Sequence, residues 1–244
     1  MGAPAEFPAR RPVVWVNCAA SLDGRLAYAG GGRARLSSRE DLVRVQQLRA
    51  NSDAILIGVG TVLHDDPSLR VHWDLLSEPP GRDPTRVILD SRGRTPDGAK
   101  VLDGSAPTII ATSKRSSRTF PPSVHVVVAG RDRVDLRELL AALFGLGIRR
   151  LMVEGGAEVI ASVLREGLFD RLTIYYAPVV IGGTTAPPIV RGPETRGPAE
   201  VRAVELLGVE RLGEGYVASY APRAPDSTGR MSPNPNDDGA TKRG

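Results

Sequence analysis

The stretch Asp53-Ala54-Ile55-Leu56-Ile57-Gly58-Val59-Gly60-Thr61 decides how this chain folds. Its first half, rich in apolar and β-branched residues, predicts a buried strand. The glycines and threonine that follow predict a sharp turn into a helix begun at Thr61. Such a passage suits an anion, because the first amides of a helix lack partners and the helix dipole favours negative charge there. Gly58 and Gly60 let a ligand approach the backbone, and Thr61 adds a hydroxyl donor. A dinucleotide fingerprint would require glycine where Leu63 stands, so on this motif alone a tight turn without a ligand is the simpler reading.

Working outward, Val13-Val14-Trp15-Val16-Asn17 reads as another buried strand, leaving through Ala19 to a turn at Asp23-Gly24. Asn17 sits in an apolar run and needs a hydrogen-bond partner. Asn17 and Asp23 suit either a site beyond a strand end or local turn bonding. Ser37 with Glu40 forms a capping box for a helix to about Ala50, with Leu42, Val45 and Leu48 on one face and Arg49 in its last turn. Downstream, Pro67 closes the helix begun at Thr61, which keeps Asp65 within about one turn of it. The strand Arg86-Val87-Ile88-Leu89-Asp90 exits into Ser91-Arg92-Gly93-Arg94. An acidic residue at a strand end often holds ribose hydroxyls, and arginine forks match the oxygens of a 2′-phosphate, which selects NADP over NAD. An ordinary charged loop is the alternative.

Buried strands are expected at 108–111 and 125–128, and Asp135 with Glu138 caps a helix that turns Leu136, Leu139, Leu140 and Leu143 inward. Met152-Val153 then leads to Glu154-Gly155-Gly156-Ala157, a second strand–glycine–helix passage whose helix ends at Gly167. After a strand at 172–176, two strands at 201–207 and 216–220 with no helix between them pair antiparallel. The outcome is an α/β domain over residues 13–222 with about eight to nine mostly parallel strands and helices on both faces. Residues 1–12 read as a loose arm and 223–244 as a disordered tail.

Composition narrows the function. The chain has 244 residues, 41% hydrophobic and 25% charged, with a net charge of +4 and dispersed arginines, so a nucleic-acid partner is not expected. The single cysteine, Cys18, excludes an internal disulfide and a multi-cysteine metal site and suits a reducing compartment. No apolar run approaches the roughly 20 residues of a membrane span, and no leader is read at the N-terminus, so a cytoplasmic location is expected.

Four stretches together resemble a known family: Val16-Asn17-Cys18-Ala19-Ala20-Ser21-Leu22-Asp23-Gly24, Gly58-Val59-Gly60-Thr61 with Asp65-Asp66-Pro67, Leu89-Asp90-Ser91-Arg92, and Glu154-Gly155-Gly156. These resemble the reductases of riboflavin biosynthesis, which have a dihydrofolate-reductase-like fold. The resemblance spans about residues 11–221 and is greatest to the stand-alone form acting on a diaminopyrimidinone, with no deaminase segment expected before it. It implies NADPH held at Ala19, Thr61, Asp65, Ser91, Arg92, Gly93, Arg94, Gly155, Gly156 and Ala157, to which the turn glycines Gly58 and Gly60 are added. It implies a phosphorylated ribosylaminopyrimidine held by Arg49, Leu69, His72 and Glu154, with Asn17 and Asp23 near the reacting centre. The bifunctional branch tends to carry arginine where His72 stands, which leaves Arg33 or Arg35 to share the phosphate. Asp23 is the expected proton-handling residue, Glu154 the acceptor for pyrimidine amino groups, and a homodimer the expected assembly. The rival readings are a reductase of the same fold acting on a pterin or the uracil analogue, and a non-catalytic nucleotide sensor.

Overall fold

The computed structural model describes residues 10–223 except 31, 33, 78, 198 and 199. The loose arm and the disordered tail expected at the two ends, and Arg33, therefore lie wholly or largely outside the described residues. Arg11, at the end of that arm, is pinned by a two-pronged ion pair to Asp170 at 2.7 and 2.8 Å.

Nine strands form one sheet: β1 (Val13–Ser21), β2 (Ala54–Gly58), β3 (Thr85–Leu89), β4 (Thr108–Thr112), β5 (Val124–Val128), β6 (Arg150–Gly155), β7 (Arg171–Ala177), β8 (Val204–Leu212) and β9 (Gly215–Pro222). Their order across the sheet is β5-β4-β3-β2-β6-β1-β7-β9-β8. All pairs from β5 to β7 are parallel, and β9 pairs antiparallel with β7 and β8. Helices α1 (Arg39–Ala50) and α2 (Val59–Asp65) pack on one face, with Val45, Leu48, Val59 and Val62 against Ile55 and Ile57. Helices α3 (Leu136–Gly145) and α4 (Ala157–Arg165) cover the other, with Leu139, Leu143, Ile160 and Val163 against Val14, Val16 and Leu56. Alternate residues of the central strands feed the two cores, as the twofold repeat of a strand requires.

The antiparallel end strands, the α3 cap at Asp135 and the stop of α4 before Gly167 match expectation. Several boundaries differ. Helix α1 is capped by Ser38, whose hydroxyl accepts from the Asp41 N–H, and not by Ser37; of the apolar residues assigned to its inner face, Leu42 is exposed, while Asp41 and Gln46 are buried. Helix α2 starts at Val59, two residues before Thr61, and ends at Asp65, where the φ of +39° at its C-cap Asp66 breaks it ahead of Pro67. Strand β5 is a sheet edge with exposed His125, Val126 and Val128, not a buried strand. Strand β8 begins later than expected and is exposed along its length except at Leu212, so no burial alternation marks its register.

Candidate active site

Every parallel strand delivers its carboxyl end to one edge of the sheet. There β2 and β6 lie side by side, yet the chain leaves β2 for β3 through α2 on one face, and leaves β6 for β7 through α4 on the other. Two neighbouring strands whose connections depart in opposite directions open a crevice, the topological switch point where open α/β sheets bind ligands. Both glycine turns meet here as neighbours.

Close packing accounts for part of the glycine content. A Cβ on Gly58 would lie 2.8 Å from Val159 Cγ2 of α4, and one on Gly156 would lie 3.2 Å from Thr61 Oγ1. Gly155 takes a φ of +125°, which L side chains rarely adopt. Gly60 is different: a Cβ there would meet no atom within 4 Å, so the protein's own packing does not demand glycine. No side chain caps α2 or α4. Thr61 lies in the first turn of α2, against the second glycine turn; Asp65 closes that helix.

Glu154 occupies a register shift. Leu56 pairs with Val153 and Ile57 with Gly155, so Glu154 is the extra residue, and such a bulge re-aims a side chain. It points to the α1 face, where Arg49 grips it with Nε to Oε1 at 2.7 Å and Nη2 to Oε2 at 2.6 Å, while Arg49 Nη1 donates to the Arg70 carbonyl at 2.8 Å. Burial opposes charge on Arg49, but the adjoining carboxylate outweighs it and raises the guanidinium above its ordinary value. Two residues expected to contact substrate separately thus form one unit.

Asn17 stands beside this pair, one residue beyond the Val16–Val153 match as Glu154 is. Its expected partners exist: Oδ1 accepts from Arg44 Nη2 at 2.9 Å and from the Thr173 hydroxyl at 2.8 Å. Ala19, further along β1, packs against a small cluster of Leu36, Tyr175, Ala177 and Val217.

At the end of β3, next to the Gly58 turn, Ser91 Oγ accepts from the Val134 N–H at 3.0 Å, and its carbonyl accepts from Ser113 Oγ at 2.8 Å. Arg92 and Arg94 are exposed, and Gly93 takes a φ of +70° at a place where a Cβ would also lie 2.5 Å from Arg118 Cβ. The basic loop 113–118 therefore lies against this exit, a neighbour that the sequence did not assign to it. Asp90, expected to hold ribose, is fully buried and instead accepts from the Thr95 N–H and hydroxyl at 2.7 and 2.8 Å; it braces the turn.

Two further expectations need correction. Leu69 is 2% exposed and packs among Ile55, Ile57 and Val62, so its side chain belongs to the core and not to a ligand. Asp23 is exposed and accepts from the Ile181 N–H at 2.9 Å, the Ser21 hydroxyl at 2.7 Å and the Gly182 N–H at 2.8 Å. These bonds, the Ile181 N–H first and the Ser21 hydroxyl second, hold its carboxyl down at about 2. A carboxylate so stabilised has no proton to give at neutral pH and little basicity. Its place is to tie the loop after β7 to the exit of β1. His72 is exposed, and its N–H donates to buried Gln46 at 2.9 Å.

Asp41, Arg44, Gln46 and Thr173 were missed in the sequence. The available signal was the thin apolar stripe of α1, in which polar residues outnumber apolar ones on a helix that must pack on a sheet. Among the described residues no group of three or more His, Cys, Asp or Glu could hold a metal, and no helix is long and apolar enough to cross a membrane.

A family model described as the RibD C-terminal domain matches residues 12–218. A protein of Methanothermobacter thermautotrophicus named 2,5-diamino-6-ribosylamino-4(3H)-pyrimidinone 5′-phosphate reductase is 42% identical over 218 residues, covering 86% of this chain and 98% of that protein. The protein of the same name from Archaeoglobus fulgidus is 40% identical over 218 residues, covering 86% and 97%. The crystal structure of a diaminohydroxyphosphoribosylaminopyrimidine deaminase/5-amino-6-(5-phosphoribosylamino)uracil reductase from Thermotoga maritima superposes with a TM-score of 0.72 at 26% identity, over 88% of this chain and 57% of that one. The sheet order, the paired glycine turns and these similarities agree: this chain belongs to the RibD C-terminal domain family, the dihydrofolate-reductase-like reductases of riboflavin biosynthesis.

Proposed function

We propose that this chain uses NADPH to convert the ribosylamino group of a 5′-phosphorylated diaminopyrimidinone into a ribitylamino group. The observation that carries this reading is the Asn17–Glu154–Arg49 group beside two glycine turns at one switch point. Thr61, Gly155, Gly156 and Ala157 lie where a dinucleotide's phosphates would rest, with Gly60 left small beside open space, and Asp65, an acceptor at the far end of α2, would hold an uncharged part of the nucleotide. Ser91, Gly93 and the exposed Arg92 and Arg94 lie one strand over, a basic exit suited to a 2′-phosphate. Bound there, the cofactor supplies a hydride.

The residues of this chain do the positioning. The sugar ring opens as the C1′–O4′ bond breaks: O4′ gains a proton, the attached nitrogen loses one, and C1′ becomes an imine carbon. Hydride addition at C1′ and a proton from solvent at nitrogen complete the ribitylamine. Glu154 accepts from N–H groups of the pyrimidine, each such charge-assisted bond contributing about 1.5–3 kcal/mol. A 2-amino group next to the ring N–H offers Glu154 two donors, whereas the 2-oxo group of the uracil analogue would set an acceptor against it. Arg49 fixes Glu154, and His72 with Arg35 flanks the sugar phosphate.

A second copy of the chain is the proposed partner. Val204, Leu206, Leu207 and Val209 of edge strand β8 are exposed together, and a contiguous apolar edge of this kind suits association. Light scattering of the purified protein, expected to give twice the chain mass, tests it. A cytoplasmic location accords with the free Cys18, whose burial pushes its thiol up to about 12.

The testing experiment is turnover: the protein is mixed with NADPH and either the diaminopyrimidinone or the uracil ribosyl phosphate, and loss of nicotinamide absorbance is followed. The diamino compound should turn over faster by at least about tenfold. Faster turnover of the uracil compound would favour the rival substrate, and tight NADPH binding with neither substrate consumed would favour a sensor.

A further inference from the structure

The hydrogen-bond chain around Asn17 has only one workable direction. Trp15 Nε1, which can only donate, gives to Thr173 Oγ1 at 3.0 Å. The Thr173 hydroxyl passes its own hydrogen to Asn17 Oδ1 at 2.8 Å. From the other side Arg44, also only a donor, reaches the same oxygen at 2.9 Å. Turning the Asn17 amide over would set its NH2 against Arg44, which can only donate, so the assignment of oxygen and nitrogen follows from that neighbour.

Arg44 is itself anchored. Its Nε and Nη2 lie 2.9 and 2.7 Å from Asp41 Oδ1, and the Asp41 side chain is fully buried. Asn17 is 4% exposed and Thr173 2%, so this is a built-in core network. Its outcome is that Asn17 offers its NH2 beside the Glu154 carboxylate, a donor next to an acceptor on adjacent strands, which lie about 4.8 Å apart.

We propose that Arg44, clamped by Asp41, is a positioning residue that locks Asn17 as a hydrogen-bond donor, so that Asn17 and Glu154 together read a carbonyl next to an N–H on one edge of the substrate ring. This rests on the reductase reading above and deepens it. A pyrimidinone edge with a 4-oxo group next to N3–H has that order.

The test uses three variants of the whole chain with NADPH and the diaminopyrimidinone ribosyl phosphate. Asn17→Asp keeps the shape and the bonds to Arg44 and Thr173 but replaces the donor with an oxygen. It should lower kcat/KM by about 100-fold, mostly through KM, while NADPH affinity stays within about twofold. The double variant Asp41→Asn/Arg44→Met removes the clamp without stranding a buried carboxylate and should lower kcat/KM by about tenfold. Arg44→Lys, which keeps a cationic donor, should recover to within about threefold of the parent. An Asn17→Asp protein with unchanged KM overturns the proposal, as does an Arg44→Lys protein no better than the double variant. A parent protein that consumes neither ribosylaminopyrimidine phosphate overturns the reductase reading itself, before any variant is compared.

Discussion

Arg49 and Glu154 meet as a fork on a carboxylate, with Nε and Nη2 at 2.7 and 2.6 Å from its two oxygens. The side chains are 15% and 13% exposed, so water screens the pair little. Arg49 comes from α1 and Glu154 from the bulge of β6, so this contact docks the helix over the switch point. Glu154→Gln keeps the shape and removes the charge. It should lower stability by roughly 3 kcal/mol in urea unfolding, the low end for breaking a buried pair. The same change should reduce kcat/KM for the pyrimidine by about 100-fold with NADPH affinity retained.

Gly58 and Val159 set the spacing between the first glycine turn and α4. A Cβ at position 58 would lie 2.8 Å from Val159 Cγ2. Gly58→Ala should therefore destabilise the fold by about 1–3 kcal/mol through overpacking. Adding Val159→Ala should recover more than half of that loss, a coupling that a double-mutant cycle measures directly.

The Asp23 carboxyl, held at about 2, makes a statement about pH. Its folded value lies below the ordinary 3.8, so the tie to Ile181 and Gly182 is fully in place above 3.8 and is lost as pH falls towards 2. Asp23 should contribute no inflection to kcat around neutral pH. Asp23→Asn should instead speed hydrogen exchange at the Ile181 and Gly182 amides by about tenfold, because a carboxylate acceptor is lost. A neutral-pH inflection that vanishes in Asp23→Asn would restore a proton-transfer role.

Arg92 is exposed at the β3 exit, beside the loop that carries Ser113 and Arg118. Arg92→Ala should weaken NADPH about tenfold or more and leave NADH within about twofold, as measured by competition binding. Equal losses for the two nucleotides would remove the 2′-phosphate contact.

The βα order, the two glycine turns and the antiparallel end were legible because each rests on local chemistry: buried β-branched runs, glycines at turns, and a short link that only antiparallel strands can use. Sequence could not say that Gly58 and Gly155 end neighbouring strands, since sheet order is set by crossovers and not by pattern. Leu69 shows a different limit. Its side chain is buried although it belongs to a segment that looks like an exposed loop, and its φ of +52° is one that no pattern of residue types announces. Asp41, Arg44 and Gln46 show a third, because an inward-facing polar residue carries the same sequence signature as a solvated one until its partners are placed.

Transfer of label from NADPH deuterated at C4 to the reduced pyrimidine tests the central claim most directly. Hydride addition to the opened sugar predicts a single deuterium on C1′ of the ribityl chain and none on the ring. A product with deuterium on the pyrimidine ring, or one reduced without any label at C1′, would contradict it.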